Sequence, residues 1–477
     1  MQFINADVAV IGAGSAGLAA YRAAHSHGKR VVLIEGGPYG TTCARVGCMP
    51  SKLLIAAAEA AHMCSIAPAF GVHPGPMVID GQAVMERVRR ERDRFVGFVL
   101  EGVEKIDSAD RLRGHARFLD AGRLQIDDQI IVEAARVVIA TGSRPQIPPE
   151  LLDAGDCLAT NDTVFDWKTL PASVAVIGTG VIGFELGQAL HRLGVRVAIF
   201  GRTAQLAGIT DPRVLDSALQ VMAAELDMRL NTQVLHAARN DTGVALTWRD
   251  AAGIEHTGEF AMVLAATGRI PNLERLQLEK TGIALDSRGI PSFDNHTMRC
   301  GQSSIFIAGD VSNERSLLHE AADQGRIAGN NAGCFPDVEP GLRRVPLAIA
   351  FTDPQIAIVG AGFKALEADR VASGEVSFKD QGRSRVMLQN HGLLRVYGEH
   401  GTGRFLGAEI CGPRAEHLAH LLAWSLQAGL TVTQMLDMPF YHPVVEEGVR
   451  TALRDLKEKL QNGLLEIDHC TDCTPGM

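Results

Sequence analysis

Apolar and polar residues alternate along this chain with the periods of a strand–helix–strand unit. The run 8–11 (VAVI) is continuously apolar and predicts a buried parallel strand. A helical pattern covers 18–27, and 31–34 (VVLI) predicts a second buried strand. Short apolar strands alternating with helices are typical of an α/β fold.

The turn after the first strand has the spacing GxGxxG at Gly12, Gly14 and Gly17, and Glu35 ends the second strand. In such a turn Gly12 permits the sharp bend, Gly14 lets the backbone approach a pyrophosphate, and Gly17 allows close helix packing. Glu35 can accept hydrogen bonds from a ribose diol. The context predicts a dinucleotide site, and the alternative is a glycine turn that binds nothing.

The same unit recurs in the middle of the chain, from the strand 174–177 to the strand 195–200. Its glycines are Gly178, Gly180 and Gly183. An acidic residue after the second strand favours a free 2′-hydroxyl, whereas an arginine accommodates a 2′-phosphate. Arg202 stands there and indicates NADPH; the alternative is an ordinary surface arginine.

Both units end in an apolar strand followed by Ala-Thr-Gly, at 140–142 and 266–268. The repeat indicates an internal duplication, so two dinucleotides are expected. We include Thr141, Gly142 and Gly268 among the candidate cofactor-binding residues.

Two cysteines, Cys43 and Cys48, lie just before an apolar helical run at 53–61. On a regular helix this spacing separates the Cα atoms by ~7.5 Å and the side chains by ~140°, so a bridge requires a distorted helix start. Gly47 relieves backbone strain there, and Pro50 suits a first helical turn. The pattern favours a redox pair; small buried residues or half of a metal site are the alternatives.

Composition limits the function classes. The 477 residues suggest two to four domains, and 50 glycines suit α/β domains with tight turns. The net charge of −9 without a basic block speaks against a nucleic-acid partner. We expect no signal peptide, no membrane span, no metal site and a cytoplasmic location, where a disulfide is more often catalytic than structural.

These motifs together resemble the FAD-dependent pyridine nucleotide-disulfide oxidoreductases of the glutathione reductase and dihydrolipoamide dehydrogenase type. The resemblance spans nearly the whole chain and implies an α/β fold with two Rossmann-like (three-layer ββα) dinucleotide-binding domains plus a C-terminal α+β dimerisation domain. The expected boundaries are 1–147 for the first part of the FAD-binding domain, 148–275 for the NAD(P)-binding domain, 276–345 for the second FAD part, 346–460 for the dimerisation domain and 461–477 for a flexible tail.

The resemblance also implies roles for single residues. The first fingerprint and Gly309-Asp310 would hold FAD, with Asp310 at the ribityl chain. Lys52 would face the flavin with Glu185 as its partner. Cys48 would lie next to the flavin and Cys43 would exchange with the substrate sulfur.

In the family, a His-Pro with a Glu five positions after the His forms the acid–base pair, supplied by the other subunit of a homodimer. His442 and Glu447 match this pattern. Electrons would pass between NAD or NADP, the flavin, the cysteine pair and a small disulfide or dithiol.

Several positions depart from the family pattern. Thr41 replaces a glycine and Arg45 replaces the common Asn before the second cysteine. Val181 stands where glutathione reductases have a gating Tyr, which favours dihydrolipoamide. Gly183 is typical of NAD-type fingerprints and conflicts with Arg202. Tyr441 replaces a small residue and predicts a narrower disulfide pocket.

Dihydrolipoyl dehydrogenase is therefore the leading prediction, and its partner would be the lipoyl group of a 2-oxo acid dehydrogenase complex. The alternatives are an NADPH-dependent reductase of another disulfide or a metal ion, and a flavin-bound scaffold without turnover. Cys470 and Cys473 form a CxxC near the end, which is either an electron relay or part of a flexible tail with weak metal affinity.

Overall fold

The computed structural model describes residues 1–461. The strands are β1 Gln2–Ile11, β2 Val31–Glu35, β3 Arg111–Arg113, β4 Ala116–Asp120, β5 Arg123–Ile126, β6 Ile130–Ile139, β7 Ser143–Pro145, β8 Leu158–Thr160, β9 Ser173–Ile177, β10 Arg196–Phe200, β11 Asp227–Arg229, β12 Gln233–Asn240, β13 Gly243–Arg249, β14 Glu255–Phe260, β15 Met262–Ala265, β16 Arg269–Pro271, β17 Ile305–Ile307, β18 Leu347–Ala350, β19 Gln355–Gly360, β20 Val371–Ser377, β21 Leu393–Glu399 and β22 Phe405–Gly412. The α-helices are α1 Ser15–Ser26, α2 Thr42–Val46, α3 Cys48–Ile66, α4 Gly81–Glu104, α5 Val181–Arg192, α6 Pro212–Ala223, α7 Leu318–Cys334, α8 Gly382–Val386, α9 Ala415–Gln427, α10 Val432–Leu436 and α11 Glu447–Gln461.

The chain divides into two compact units. The first unit comprises 1–149, 158–170 and 267–343, and the second comprises 150–157, 171–266 and the chain from Arg344 onward. Each unit is built around one parallel sheet, as the repeated strand–helix pattern predicts.

In the first unit the parallel strands run in the order β3-β2-β1-β6, with β17 on the other side of β6. The register pairs Val8 with Val31 and Val10 with Leu33, so the glycine turn after β1 lies at the carboxyl edge of the sheet. Helices α1 and α7 pack together on one face, and β4, β5 and the start of β6 form an antiparallel layer. A dinucleotide site at the carboxyl edge of such a sheet is what the topology favours.

The second unit has parallel strands in the order β11-β10-β9-β15, with α5 against β10. The antiparallel strands β12, β13 and β14 form its second β layer. The order of helix, parallel sheet and antiparallel layer repeats that of the first unit. The predicted duplication is therefore visible as the same three layers.

The C-terminal part of the second unit is an antiparallel sheet in the order β18-β19-β22-β21-β20. Helix α9 packs against β19 and β22, and α11 packs against β20 and β21. The apolar residues of these elements form one continuous core. This matches the predicted α+β domain.

The helical stretch Thr42–Phe70 is long and apolar enough to cross a membrane by length and composition alone, with a mean hydropathy of 1.5. Two charged residues, Lys52 and Glu59, lie within it. The stretch packs against α4 in the first unit. Of its apolar 18-residue window, 22% is buried in the structure.

Candidate active site and nucleotide sites

The two cysteines lie on either side of a break between two helices. Helix α2 ends at Val46, Gly47 takes φ −127° and ψ −117°, and α3 begins at Cys48. A Cβ on Gly47 would lie 3.1 Å from the carbonyl oxygen of Thr42. The break supplies the distorted helix start that a cysteine pair at this spacing requires, and Pro50 lies in the first turn of α3.

Cys43 is half-buried and Cys48 is exposed. The pKa of Cys43 is raised far above that of an ordinary thiol, chiefly by its hydrogen bond with Cys48 and then by burial, while the Lys52 ammonium lowers it. A thiol pair that shares a hydrogen bond is close enough for sulfur exchange, and Cys43 needs a base to become a nucleophile.

Thr41 precedes the pair in a backbone conformation that strongly favours glycine. Its φ of +59° and ψ of 151° are strained for a β-branched residue. Its hydroxyl accepts a hydrogen bond from the Ala44 N–H at 3.3 Å and so caps α2. The threonine that replaces the family's glycine therefore caps the helix immediately before Cys43.

The first glycine turn has the geometry of a dinucleotide site. A Cβ on Gly12 would lie 2.2 Å from the Ala140 oxygen, and one on Gly17 would lie 1.8 Å from the Gly12 oxygen. Gly14 faces open space at the start of α1, where no side chain caps the helix. Glu35 accepts a hydrogen bond from the Ala13 N–H at 2.7 Å. The uncapped helix start can therefore take a pyrophosphate, while the Glu35 carboxylate at the end of β2 suits the hydroxyls of a ribose.

Thr141 and Gly142, in the first Ala-Thr-Gly repeat, form hydrogen bonds with Asn272, which follows β16 after the second repeat. The Thr141 hydroxyl donates to the Asn272 oxygen at 2.7 Å, and the Asn272 amide donates back to the Thr141 oxygen at 3.0 Å. The strands β7 and β16, which follow the two repeats, pair antiparallel. Gly268 has φ +117° and accepts from the Gln146 N–H at 2.9 Å.

A chain of hydrogen bonds in the first unit joins the cysteine segment to Asp310. Asn161 donates to the Val46 oxygen at 3.1 Å, and Arg269 donates to the Asn161 side chain at 3.2 Å. Arg269 also donates to the Ser143 hydroxyl at 2.8 Å, and that hydroxyl donates to Asp310 at 2.8 Å. Gly309, with φ +82°, fixes the backbone before Asp310.

Sequence reasoning missed Asn161, Ser143 and Arg269. Ser143 and Arg269 directly follow the two Thr-Gly repeats, which is the signal that could have indicated them. Asn161 has no such signal, because its partners lie more than a hundred positions away along the chain in each direction.

The second glycine turn repeats the first. A Cβ on Gly183 would lie 2.2 Å from the Gly178 oxygen, and Gly180 faces open space at the uncapped start of α5. Arg202 is exposed two residues after the end of β10. The Gly178 N–H donates to the Phe200 oxygen as the Gly12 N–H donates to the Ile34 oxygen, so Gly201 occupies the position of Glu35 and the positive charge of Arg202 follows one residue later.

Glu185 is almost fully buried on α5 and accepts a hydrogen bond from the Phe351 N–H at 2.9 Å. Lys52 is partly buried on α3 of the other unit. Their proposed pairing stays a prediction.

His442 and Glu447 are hydrogen-bonded to each other at the start of α11. The Nδ1 atom of His442 lies 3.0 Å from both carboxylate oxygens of Glu447. The pKa of Glu447 is lowered, first by this hydrogen bond and also by the Val444 N–H, against a small opposing effect of burial. Because Nδ1 faces the carboxylate, Nε2 is the ring nitrogen left for proton transfer, and the His442 side chain is 79% exposed.

No group of three or more His, Cys, Asp or Glu side chains able to hold a metal ion occurs within residues 1–461. Cys470 and Cys473 lie outside the described residues, so the relay and the metal-affinity hypotheses for the tail stay untested.

Residues 6–325 match the family described as pyridine nucleotide-disulphide oxidoreductase, and 346–453 match the dimerisation domain of that family. A mycothione reductase of Mycobacterium tuberculosis is 32% identical, with 94% of this chain and 99% of the relative aligned. A mercuric reductase of Shigella flexneri is also 32% identical, over 95% of this chain and 81% of the relative.

A dihydrolipoyl dehydrogenase of Haloferax volcanii is 30% identical over 94% of this chain and 95% of the relative. Among solved structures, the HOCl-induced flavoprotein disulfide reductase RclA from Escherichia coli superimposes with a TM-score of 0.79 at 22% identity, covering 95% of this chain and 99% of that one. The structural likeness bears on the fold alone.

Proposed function

Because this chain belongs to the pyridine nucleotide-disulphide oxidoreductase family, we propose that it is an NADPH-dependent reductase of a small disulfide. The membership confirms the predicted family, the predicted fold class, and FAD with NAD(P)H as the cofactors of this family. The dimerisation domain supports the expected homodimer. Family membership also supports a soluble protein, while the cytoplasmic location stays a prediction.

The observation that carries the proposal is the hydrogen-bonded pair of Cys43 and Cys48 at the helix break. FAD, when bound, supplies the two-electron chemistry between the coenzyme and this pair. Gly12, Gly14, Gly17, Glu35 and Asp310 would hold it, and Lys52 would face it. A scaffold without turnover would have no chemical need for both cysteines together with His442 and Glu447.

The disulfide half of the reaction follows from this chain's own residues. His442, which the family resemblance places in the other subunit of the homodimer, removes the proton of Cys43. The Cys43 thiolate then attacks one sulfur of the substrate disulfide and forms a mixed disulfide. The departing thiolate takes the proton from His442, and Glu447 stabilises the imidazolium in between. Cys48 then attacks the Cys43 sulfur, which releases the second thiol and leaves the Cys43–Cys48 disulfide.

The proposed preference for NADPH is supported by Arg202. Strand β10 ends at Phe200, and Gly201-Arg202 follow where an NAD site would have an acidic residue. Gly183 remains in conflict with this preference, because it resembles NAD-type fingerprints.

Dihydrolipoyl dehydrogenase remains the second candidate. Val181, the first residue of α5, supports it, as does the 30% identical relative of that name. In that case the reaction would run from dihydrolipoamide toward NAD. The lipoyl group of a 2-oxo acid dehydrogenase complex would then be the partner.

The test is anaerobic reduction of the purified holoenzyme by NADPH and, separately, by NADH. We expect faster reduction by NADPH, and a loss of roughly tenfold or more in that preference for Arg202→Glu, because one charge-assisted hydrogen bond is removed. Arg196→Glu, at the opposite end of β10, is the matched control. If Arg202→Glu and Arg196→Glu prefer NADPH over NADH to the same degree, the assignment of NADPH to Arg202 is contradicted.

The reduced enzyme is then mixed with oxidised lipoamide, with other small disulfides, or with Hg²⁺. Rapid reoxidation by a non-lipoyl disulfide, abolished in Cys43→Ser, is the expected result. Reoxidation by lipoamide, with NAD reduced by dihydrolipoamide, would favour the second candidate. Turnover that survives Cys43→Ser would overturn the cysteine mechanism.

A further inference from the structure

Two fully buried carboxylates, Asp211 and Glu409, lie together in the second unit, outside the site described above. Asp211 ends the loop 201–211, which begins directly after β10. Glu409 lies on β22 of the antiparallel sheet formed by β18 to β22, which we call the dimerisation sheet. A buried carboxylate costs several kcal/mol unless hydrogen bonds satisfy it, so such a pair requires a structural explanation.

Glu409 binds the end of the loop with both of its oxygens. Its Oε2 accepts from the N–H groups of Thr210 at 2.8 Å and Asp211 at 2.9 Å. Its Oε1 accepts from the Thr210 hydroxyl and from the Phe363 N–H at 2.8 Å. One side chain of the dimerisation sheet therefore satisfies three donors at the end of the loop.

Asp211 strengthens the same attachment from the loop side. Its Oδ1 caps α6 by accepting from the Arg213 and Val214 N–H groups. Its Oδ2 accepts from Arg395 at 2.6 Å and from the Tyr397 hydroxyl at 3.0 Å, both on β21. Burial and the two nearby carboxylates raise the pKa of Tyr397, so this phenol stays a hydrogen-bond donor.

The loop 201–211 contains or contacts the residues that are candidates for coenzyme binding. It begins with Gly201-Arg202, and the Ala207 N–H donates to the oxygen of Thr179 at 2.9 Å. Thr179 lies between Gly178 and Gly180 in the glycine turn. The loop therefore contacts the turn in its middle and carries Arg202 near its start.

We propose that Glu409 is a positioning residue for coenzyme binding, which holds the loop 201–211 and through it sets Arg202 and the glycine turn. The inference rests on the proposed coenzyme role of this unit. Because the anchor lies on the dimerisation sheet, that sheet supports the coenzyme site as well as the subunit contact. A positioning role predicts an effect on coenzyme affinity and not on the chemical step.

The experiment compares Glu409→Gln with the wild-type holoenzyme. The carboxamide turns an NH₂ group toward N–H donors, so the loop end loses hydrogen bonds. We expect the KM for NADPH and the directly titrated Kd for NADP⁺ to rise together by roughly tenfold, with kcat within about twofold. Hydrogen exchange should accelerate in 201–211 and stay unchanged in β9.

Glu399→Gln, on β21 of the same sheet, is the matched control, and it should leave all these quantities unchanged. If Glu409→Gln does not fold, Thr210→Val removes the hydroxyl that donates to Glu409 and accepts from the Lys364 N–H, and it should raise the same two constants by a smaller factor. Unchanged KM and Kd in a folded variant, or a fall in kcat alone, would overturn the inference. The proposed function fails separately, through Cys43→Ser and Arg202→Glu.

Discussion

At the residue scale, the proposed mechanism assigns proton movement during disulfide exchange to the paired side chains of His442 and Glu447. The carboxylate holds Nδ1, which orients the ring and leaves Nε2 for the thiol. The raised pKa of Cys43 makes such a base necessary near neutral pH. The two observations are complementary, since a thiol that holds its proton tightly needs a base that is oriented in advance.

Glu447→Gln should slow reoxidation of the reduced enzyme by its disulfide about 10- to 100-fold, because the imidazolium loses its stabilising charge. Reduction by the coenzyme should be unchanged, and rapid mixing separates the two half-reactions. Glu446→Gln, the neighbouring residue, is the control. Equal slowing of both half-reactions would show a structural effect and contradict the role.

The direction of the Glu447 pKa shift determines how the reoxidation rate should depend on pH. The pKa of Glu447 is lowered, so its charge is fully present above the ordinary glutamate value and is lost only as the pH falls through the lowered value. With respect to this carboxylate, the wild-type reoxidation rate should therefore hold as the pH falls to the ordinary glutamate pKa and decline only below it.

At the scale of elements, the hydrogen-bond chain through Asn161 links the end of α2 to the start of β7 and β16. Asn161 is buried, and the Arg269 side chain is 14% exposed, so water replaces lost partners poorly. This chain fixes the Val46 carbonyl, which immediately precedes the break at Gly47. The position of the cysteine pair thus depends on residues far away in sequence.

Asn161→Ala should lower the free energy of unfolding of the holoenzyme by about 1–3 kcal/mol, because a buried carbonyl and a guanidinium lose a partner. Disulfide exchange should slow as well, since Val46 is no longer held. Urea unfolding measures the first effect. Asn240→Ala, at an exposed site of the second unit, is the control, and an equal loss in both variants would contradict the prediction.

The sequence was informative where a function depends on local spacing. Both glycine turns, the Cys43–Cys48 spacing and the His442–Glu447 spacing are short patterns, and the structure places each at the start of a helix. Helix α3 begins at Cys48, so Pro50 lies in its first turn as predicted.

Other features could not be predicted because they depend on distant partners or on backbone geometry. Glu409 is about 200 positions from Asp211, and nothing in its neighbours indicates a buried anchor. The positive φ of Thr41 is likewise absent from the residue pattern, although the family's glycine at that position hinted at it. Polar residues in loops carry no periodic signal, so their partners become evident only in the fold.

At the scale of the whole molecule, the open question is which chain supplies His442 to a given cysteine pair. The dimerisation domain is shown by its match over 346–453, and the family resemblance predicts that the base comes from the other subunit. Each homodimer would then have two equivalent sites, each built from both chains.

Mixed dimers test this prediction directly. One chain carries Cys43→Ser and the other carries His442→Ala, and two different affinity tags allow the mixed dimer to be purified. Each parent homodimer should be inactive in disulfide reduction. In the mixed dimer, the intact cysteines of one chain meet the intact His442 of the other, so about half of the wild-type activity should return. A mixed dimer as inactive as its parents would mean that each chain uses its own histidine.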